Sequence, residues 1–200
     1  MGEDTGSTRR VRADAQRNID ALLDAAKAVF ATAGVDAPVR EIAARAEVGV
    51  GTVYRHFPQR SDLVIAVFRH EVDATAKAAE VLAAEHSPGE ALARWLHRFA
   101  GFIATKRGLA AALHSGDPAF SPLPAYFDEH LRPALQSLLA AAVAAGEVRA
   151  DVEPDEVLDA VRGLAASTPH SQRMVDLFID GLRYGAAGTA APDQARINSA

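Results

Sequence analysis

The sequence predicts an all-α protein of about nine helices, with a short helical domain at the N-terminus and a longer helical domain after it. Apolar residues recur at three- and four-residue steps along most of the 200 residues, which is the spacing of one face of an α-helix. The apolar–polar alternation that is typical of half-buried strands is almost absent. Glycines and prolines interrupt the apolar pattern at intervals that fit the ends of helices.

Start and stop signals divide the chain into individual helices. Gly34 ends the first helix at the position where a left-handed cap is common, and Pro58 closes the third. Ser87 and Glu90 have the spacing of a capping box at the start of the fifth helix, and Pro133 should kink or split a later one. The predicted helical ranges are 14–33, 39–46, 50–57, 61–86, 88–107, 123–145, 154–167 and 169–184. A split of the range 123–145 at Pro133 gives the count of about nine.

The composition excludes several classes of protein. Apolar residues make up 49% of the chain and charged residues 24%, which supplies enough apolar surface for a folded core. The absence of cysteine excludes disulfides, a thiolate nucleophile and cysteine-bound zinc. The longest apolar run, residues 138–145, is far shorter than the about 20 residues that span a bilayer. Arg9 and Arg10 are not followed by the apolar segment of an export signal. We therefore expect a soluble, cytoplasmic protein.

The predicted domains differ in charge. Residues 13–60 form the N-terminal helical domain and residues 61–185 the longer one, while residues 1–12 and 186–200 are expected to be disordered tails. The first 60 residues hold 9 Lys and Arg against 8 Asp and Glu, and the rest of the chain holds 12 against 18. This asymmetry suggests a nucleic-acid face on the N-terminal domain, although an ordinary solvated surface has the same charge pattern.

The segment from Val39 to Phe57 has the pattern of a helix-turn-helix. It reads Val-Arg-Glu-Ile-Ala-Ala-Arg-Ala, then Glu-Val-Gly, then Val-Gly-Thr-Val-Tyr-Arg-His-Phe. Four apolar residues are spaced so that they hold two short helices together: Ile42, Ala43, Val48 and Val53. The small Ala43 allows a close approach. In this motif the second helix enters the major groove of DNA. Its hydroxyl and imidazole groups are of the kind that donates to phosphate oxygens.

This segment, with the Pro58 and Leu63 that follow it, resembles the DNA-binding domain of the TetR family of transcriptional regulators. The resemblance extends over residues 14–68, and the rest of the chain matches the family only in the number and length of its helices. It implies a three-helix helix-turn-helix domain followed by a helical ligand-binding and dimerisation domain. The implied function is that of a ligand-responsive repressor. Such a homodimer binds a palindromic operator in double-stranded DNA and is released by a small apolar or amphipathic effector.

The resemblance also implies which residues contact DNA. Thr52, Tyr54 and His56 stand where the family contacts operator phosphates, and Arg60 stands where a lysine usually clamps phosphate. Arg40 occupies a position that reaches a guanine edge, with pairing to a neighbouring carboxylate as the alternative. Tyr54 has the alternative of a core or rim aromatic. The full predicted contact set is Arg40, Gly49, Val50, Gly51, Thr52, Tyr54, Arg55, His56 and Arg60.

Three positions depart from the family pattern. Glu47 stands at a turn position that is often glycine, and a positive φ there would cost about 1 kcal/mol. Pro38 and Gly49 replace the usual Ser or Thr caps, which are worth about 1 kcal/mol each, and this puts two phosphate contacts in doubt. The arginine cluster within residues 9–12 is either a minor-groove arm or part of a solvated tail.

Aromatic residues in the longer domain suggest a ligand pocket. Trp95, Phe99 and Phe102 form a stripe on one helical face, and this stripe either belongs to the core or lines a cavity between helices. Ligand pockets are mostly apolar and contain few polar groups. The predicted pocket residues are Phe68, Trp95, Phe99, Phe102, Leu113, His114, Phe120, Tyr126, Phe127 and His130.

The last two predicted helices each carry an apolar face. In the TetR family the last two helices of each subunit pair across a twofold axis, so the resemblance implies that these faces form the dimer seam. The alternative is burial within one chain. The predicted dimer residues are Val157, Leu158, Val161, Val175, Phe178, Ile179 and Leu182.

No motif indicates an enzyme. The sequence lacks the Glu-x-x-His pairs of di-iron bundles, and it lacks His-Glu-x-x-His, Gly-x-Ser-x-Gly and phosphate-loop patterns. We therefore expect no catalytic activity, no cofactor and no metal ion. The alternative to a DNA-binding regulator is a helical small-molecule-binding or adaptor protein that has lost operator binding.

Overall fold

Helices make up almost all of the chain that the structure, a computed structural model, describes: residues 4–105, 116–167 and 170–184. Within these ranges there are eight α-helices, one short 3-10 helix and no strand, which confirms the all-α prediction. No helix in these ranges combines the length and the apolar character that crossing a bilayer needs. The helices are α1 (Asp4–Ala33), α2 (Val39–Arg45), α3 (Val50–His56), α4 (Arg60–Glu85), α5 (Pro88–Thr105), the 3-10 helix (Pro118–Phe120), α6 (Leu123–Ala144), α7 (Pro154–Ser167) and α8 (Ser171–Arg183).

The chain packs as two compact units. The first comprises Met1–Ala74 and Phe102–His130, and the second comprises Thr75–Gly101 and Leu131–Ala200. These units differ from the domains predicted from the sequence, whose boundary lay at residue 60. The difference arises because the first half of α4 and the start of α6 pack in the same unit as α1, α2 and α3.

The core of the first unit is aromatic. The ring centroids of Phe68 and Phe102 lie 5.8 Å apart, and those of Phe102 and Phe127 lie 6.1 Å apart. Ring pairs at such distances contribute about 0.5–1.5 kcal/mol beyond the burial of their surface. Because Phe68 belongs to α4, Phe102 to α5 and Phe127 to α6, the row joins three helices of this unit.

The core of the second unit is built around Trp95 of α5. Its indole N–H donates to the backbone carbonyl of Thr75 at 2.9 Å, and its ring stacks on Phe99 with centroids 5.6 Å apart. A buried indole needs such a partner for its N–H group. In the same unit α7 packs along α8.

The start of α5 is capped by a residue that the sequence did not indicate. Glu147 accepts hydrogen bonds from the backbone N–H of Gly89 at 2.8 Å and from the hydroxyl of Ser87 at 3.1 Å. A Cβ at position 89 would lie 2.6 Å from Oε2 of Glu147, so this approach needs glycine. Glu90, the predicted partner of Ser87 in a capping box, pairs with Arg94 instead. The capping-box prediction is therefore wrong.

Two helix boundaries also differ from the predictions. α1 begins at Asp4, inside the segment 1–12 that was predicted to be a disordered tail, because lengthening an existing helix costs little per residue. α6 continues through Pro133, since the buried Leu131 and Leu135 on either side hold the helix together against the loss of one backbone hydrogen bond. The predicted tail 186–200 lies outside the described residues.

Candidate nucleic-acid interface

The helix-turn-helix is formed by α2, a short turn and α3. Ile42 and Ala43 of α2 and Val53 of α3 are buried, as the sequence predicts. The turn closes with a hydrogen bond from the N–H of Val48 to the carbonyl of Ala43, at 3.0 Å. These contacts fix one face of α3 against the first unit, so its other face is left for solvent or DNA.

Glu47, Pro38 and Gly49, the three positions that depart from the family pattern, have the backbone and cap geometry that the sequence predicts. Glu47 has a φ of 55°, which is the left-handed conformation that costs about 1 kcal/mol for a residue other than glycine. Neither Pro38 nor Gly49 makes a side-chain cap, since neither has a side-chain acceptor. The first N–H groups of α2 and α3 therefore lack side-chain partners, and such groups can donate hydrogen bonds to a phosphate oxygen.

The outward face of α3 is exposed and polar. Tyr54 leaves 53% of its surface in solvent, so it is not the core aromatic that the sequence left as an alternative. Thr52 is half-buried beside it. The exposed members of the predicted contact set are Arg40, Gly49, Val50, Gly51, Tyr54, Arg55 and His56.

Arg60 is placed differently from the phosphate clamp that the resemblance implies. Its Nη2 donates to the backbone carbonyls of Val35 and Ala37, and its guanidinium lies over the ring of Phe30 at 5.3 Å from the centroid. These contacts direct the side chain into the first unit rather than towards a ligand. Arg60 thus ties the start of α4 to the loop that precedes α2.

The predicted pocket residues fall into separate groups. Four of the rings are buried in the first unit: Phe68, Phe102, Phe120 and Phe127. Trp95 and Phe99 are buried in the second unit. Leu113 and His114 lie outside the described residues. Core packing accounts for the buried rings, and the pocket remains a prediction.

Tyr126 and His130, the two polar aromatic residues of the predicted pocket, form a cluster on α6 with residues of α4. The hydroxyl of Tyr126 donates to Asp73 at 2.6 Å, and Arg69 lies over its ring at 4.9 Å. The ring of His130 stacks on that of Tyr126 with centroids 4.0 Å apart. Burial and the hydrogen bond to Asp73 raise the pKa of Tyr126 to about 12. Arg69 and Asp73 were not predicted from the sequence, in which their spacing of four residues is a weak sign of a shared partner.

A shallow groove of about 280 Å³ lies between α5 and α8 in the second unit. Charged side chains line most of it, among them Arg94, His97 and Asp176, with His97 Nε2 at 3.3 Å from Asp176. This lining does not match the apolar pocket that the sequence predicts.

The predicted dimer residues are already buried within one chain. Six of the predicted dimer residues are each at most 5% exposed within one chain: Val157, Leu158, Val161, Val175, Ile179 and Leu182. In this unit α7 and α8 pack against each other, which matches the alternative of burial within one chain. Phe178 is half-buried, and the dimer seam remains a prediction. The opposite side of α8 carries the exposed apolar residues Met174 and Leu177.

Comparisons with known proteins decide the family. A family model described as bacterial regulatory proteins, tetR family, matches residues 22–67, and one described as transcriptional regulator SbtR-like, C-terminal domain, matches residues 87–184. The structure of TetR transcriptional regulator SCO0520 from Streptomyces coelicolor is 38% identical, with 82% of this chain and 97% of that chain covered and a TM-score of 0.73. The chain belongs to the TetR family of transcriptional regulators. A TetR-family regulatory protein from Mycobacterium vanbaalenii is also 38% identical, over 86% of this chain and 99% of that chain, with a TM-score of 0.71.

This TetR-family member also resembles a gamma-butyrolactone receptor (ArpA like protein), at 26% identity over 82% of this chain and 85% of that chain, with a TM-score of 0.55. A search of curated proteins finds no match. The family confirms the predicted helix-turn-helix domain with a helical C-terminal domain, and it confirms the predicted DNA-binding transcriptional regulator. The C-terminal family model covers the part of the chain whose sequence resembled the family only in its helices.

Proposed function

We propose that this TetR-family regulator is a homodimeric repressor that holds a palindromic operator with two copies of α3 and releases it when a small apolar or amphipathic effector binds. The observation that carries the proposal is that the outer face of α3 is exposed, while its buried face holds it against α2. Thr52, Tyr54 and His56 supply donors for phosphates, and Arg40 supplies a fork that fits a guanine edge. Because such a repressor binds chromosomal DNA, the proposal includes a cytoplasmic location.

The dimer interface that we propose is the exposed apolar side of α8. Met174, Leu177 and Phe178 are spaced three and four residues apart, so they lie on one face of the helix. Met174 is 41% exposed and Leu177 56% exposed. Large apolar side chains grouped on one exposed face are typical of protein interaction surfaces. A twofold dimer places the same face of both chains in contact.

The effector response that we propose runs along α4. Near one end, Arg60 holds the loop that precedes α2, and further along, Asp73 holds Tyr126 of α6. All of these residues lie in the first unit. An effector that moves α6 would pull on α4 through Tyr126 and shift the loop before α2. A preference of a few kcal/mol for the shifted state is enough to release DNA.

A lactone-like or similarly apolar effector is the class that we propose for testing first. One similar structure is described as a gamma-butyrolactone receptor. The polar groups of Tyr126 and His130 beside an aromatic core match the usual make-up of a small-molecule site, which is apolar with few polar groups.

The test is a footprint of the full-length protein on duplex DNA from the region upstream of its own gene. We expect two protected half-sites whose centres are about 34–36 Å apart, or a multiple of that distance, and a complex containing two copies of the chain per operator or a multiple. The affinity should fall steeply as salt is raised. If no duplex is retained even at low ionic strength, the alternative of a helical ligand-binding or adaptor protein is favoured instead.

A further inference from the structure

Three carboxylates and a histidine meet between α1 and α4 in the first unit. Asp20 and Asp24 lie one turn apart on α1, and His70 and Glu71 are neighbours on α4. His70 Nε2 is 3.5 Å from Oδ1 of Asp24, and His70 Nδ1 is 3.9 Å from Oδ1 of Asp20. One ligand atom from each of Asp24, His70 and Glu71 lies within 4.8 Å of the other two. These four residues are not part of the surface that is proposed to bind the operator.

The distance between His70 and Asp24 fits two ligands of a shared ion better than it fits a direct hydrogen bond. Hydrogen bonds to a ring nitrogen centre near about 2.9 Å, and both His70 distances are longer. Two ligand atoms that each lie about 2.1 Å from a tetrahedral metal ion are about 3.4 Å from one another. The 3.5 Å between Asp24 and His70 is that separation. The ligand atom of Glu71 lies within 4.8 Å of those of Asp24 and His70, and its soft terminal torsion allows the carboxylate to turn towards an ion.

The charges of the cluster leave room for a dication. Lys27 pairs with Oε2 of Glu71 at 2.5 Å, while Asp20 and Asp24 face the ring of His70. A divalent cation between Asp24, His70 and Glu71 would be attracted by the carboxylates on either side of it. A carboxylate can accept at both of its oxygens, so Glu71 can keep Lys27 on one oxygen and offer the other to the ion.

We propose that Asp24, His70 and Glu71 bind one divalent transition-metal ion, with Zn²⁺ as the best match, and that Asp20 orients His70. An imidazole combined with carboxylates favours Zn²⁺ and its first-row neighbours over Mg²⁺ and Ca²⁺. Water fills the fourth position of a zinc site with three protein ligands. A metal-bound imidazole usually donates its other N–H to a carboxylate, and Asp20 faces that nitrogen. Asp24 is 68% exposed in its side chain, which gives the ion a path from solvent.

The site does not depend on operator binding, so it is tested without DNA. Untagged full-length protein is stripped with a chelator and then titrated with Zn²⁺ by calorimetry and thermal unfolding. We expect one ion per chain and a rise in Tm of about 5–10 °C at a hundredfold excess over Kd. Co²⁺ in place of Zn²⁺ should give the visible absorption of a site with low symmetry.

Variants assign the ligands. Asp24→Asn and His70→Gln should each weaken Zn²⁺ binding by at least about a hundredfold, and Asp20→Asn by about 10–100-fold. The matched control is His97→Gln, because His97 also faces one aspartate, Asp176, at 3.3 Å, but in the other unit. It should bind Zn²⁺ like the wild type. A wild type whose Tm does not respond to Zn²⁺, or a response that survives in His70→Gln, overturns the proposal.

Discussion

The pair α2–α3 and the pair α7–α8 are built alike but expose opposite kinds of surface. In both pairs, apolar residues bury one face within a single chain: Val53 in α3, and Val175 and Ile179 in α8. The outer face of α3 carries hydroxyl, imidazole and guanidinium groups around the exposed Tyr54. The outer face of α8 carries Leu177 and its apolar neighbours. The residues that a chain leaves outside, rather than those it buries, are therefore the basis for the proposed partners, which are a polyanion for α3 and a second apolar face for α8.

The largest expected effect comes from a charge on the outer face of α8. Leu177→Glu should convert the dimer into a monomer. Because the twofold axis relates the two chains, the new charge enters the interface twice, once from each chain. A central apolar residue contributes about 2 kcal/mol or more, so dimer association should weaken about a thousandfold. Sedimentation measures the change, and operator binding should weaken with it.

The control for Leu177→Glu is Val81→Glu. Val81 is also an exposed apolar residue, at 49%, but it lies on α4 outside the proposed interface. It should leave the dimer intact. A Leu177→Glu protein that stays dimeric, or a Val81→Glu protein that becomes monomeric, would remove α8 from the interface.

The outer face of α3 should respond to a loss of polar groups instead. Tyr54→Ala removes a proposed phosphate contact in each half-site and should cost about 1.5–3 kcal/mol per contact, since the acceptor is charged. The loss should be similar on all operators, because phosphate contacts do not read sequence. Binding assays on several duplexes measure this, with Tyr184→Ala as the control, since Tyr184 is a second exposed tyrosine.

A variant of Arg40 distinguishes recognition of bases from binding of phosphates, because only a base contact depends on the operator sequence. Arg40→Ala should cost about 1–3 kcal/mol on the preferred operator and relax the base choice at one position. Affinities for a panel of operators with single base changes measure this. An equal loss on every member of the panel would make Arg40 a phosphate contact or a partner of a neighbouring carboxylate.

The variant Arg60→Ala distinguishes two roles for Arg60: positioning the loop that precedes α2, and binding an operator phosphate. Arg60→Ala removes the hydrogen bonds to Val35 and Ala37, so the free energy of unfolding should fall by about 1–2 kcal/mol. Operator affinity should fall as well. If the affinity falls while thermal unfolding stays as in the wild type, Arg60 is a phosphate clamp after all.

The smallest expected effect concerns the turn between α2 and α3. Glu47→Gly relieves the left-handed strain at φ 55° and should raise the stability of the protein by about 1 kcal/mol. Operator affinity should change little, because Glu47 is outside the predicted contact set. Denaturant unfolding measures the gain, and Glu41→Gly, which places the same residue inside α2, should destabilise instead.

The sequence was sufficient for α2–α3 and insufficient for α8, for a physical reason. In the helix-turn-helix, the spacing across the short turn singled out Ile42 and Val53 as the buried residues, although Val39 and Val50 of the same helices are also apolar. In α8, apolar residues stand on both sides of the helix, with Val175 and Ile179 on one and Met174 and Leu177 on the other. Only packing against α7 decides which side is buried. The sequence therefore predicted the helix but assigned its inner face to the dimer.

The same reason explains why two groups of residues were missed. Asp24 and His70 come from different helices, and no spacing along the chain connects them, so the sequence contains no sign of the proposed metal site. Glu147 caps α5 from another part of the chain, while the local capping box of Ser87 and Glu90 was the only cap that the sequence could indicate. Contacts within one helix or one turn were predictable, and contacts between distant helices were not.

The most direct test of the central claim uses the absence of cysteine from the chain. A single cysteine at Gln59, which follows α3 and is exposed, carries a chelated iron that cleaves nearby DNA, and a cysteine at Val81 carries the same probe as a control. We expect two clusters of operator cleavage, one for each half-site, from the probe at residue 59, and none from residue 81. Cleavage from residue 81 alone, or from neither probe while DNA stays bound, would contradict the claim that α3 faces the operator.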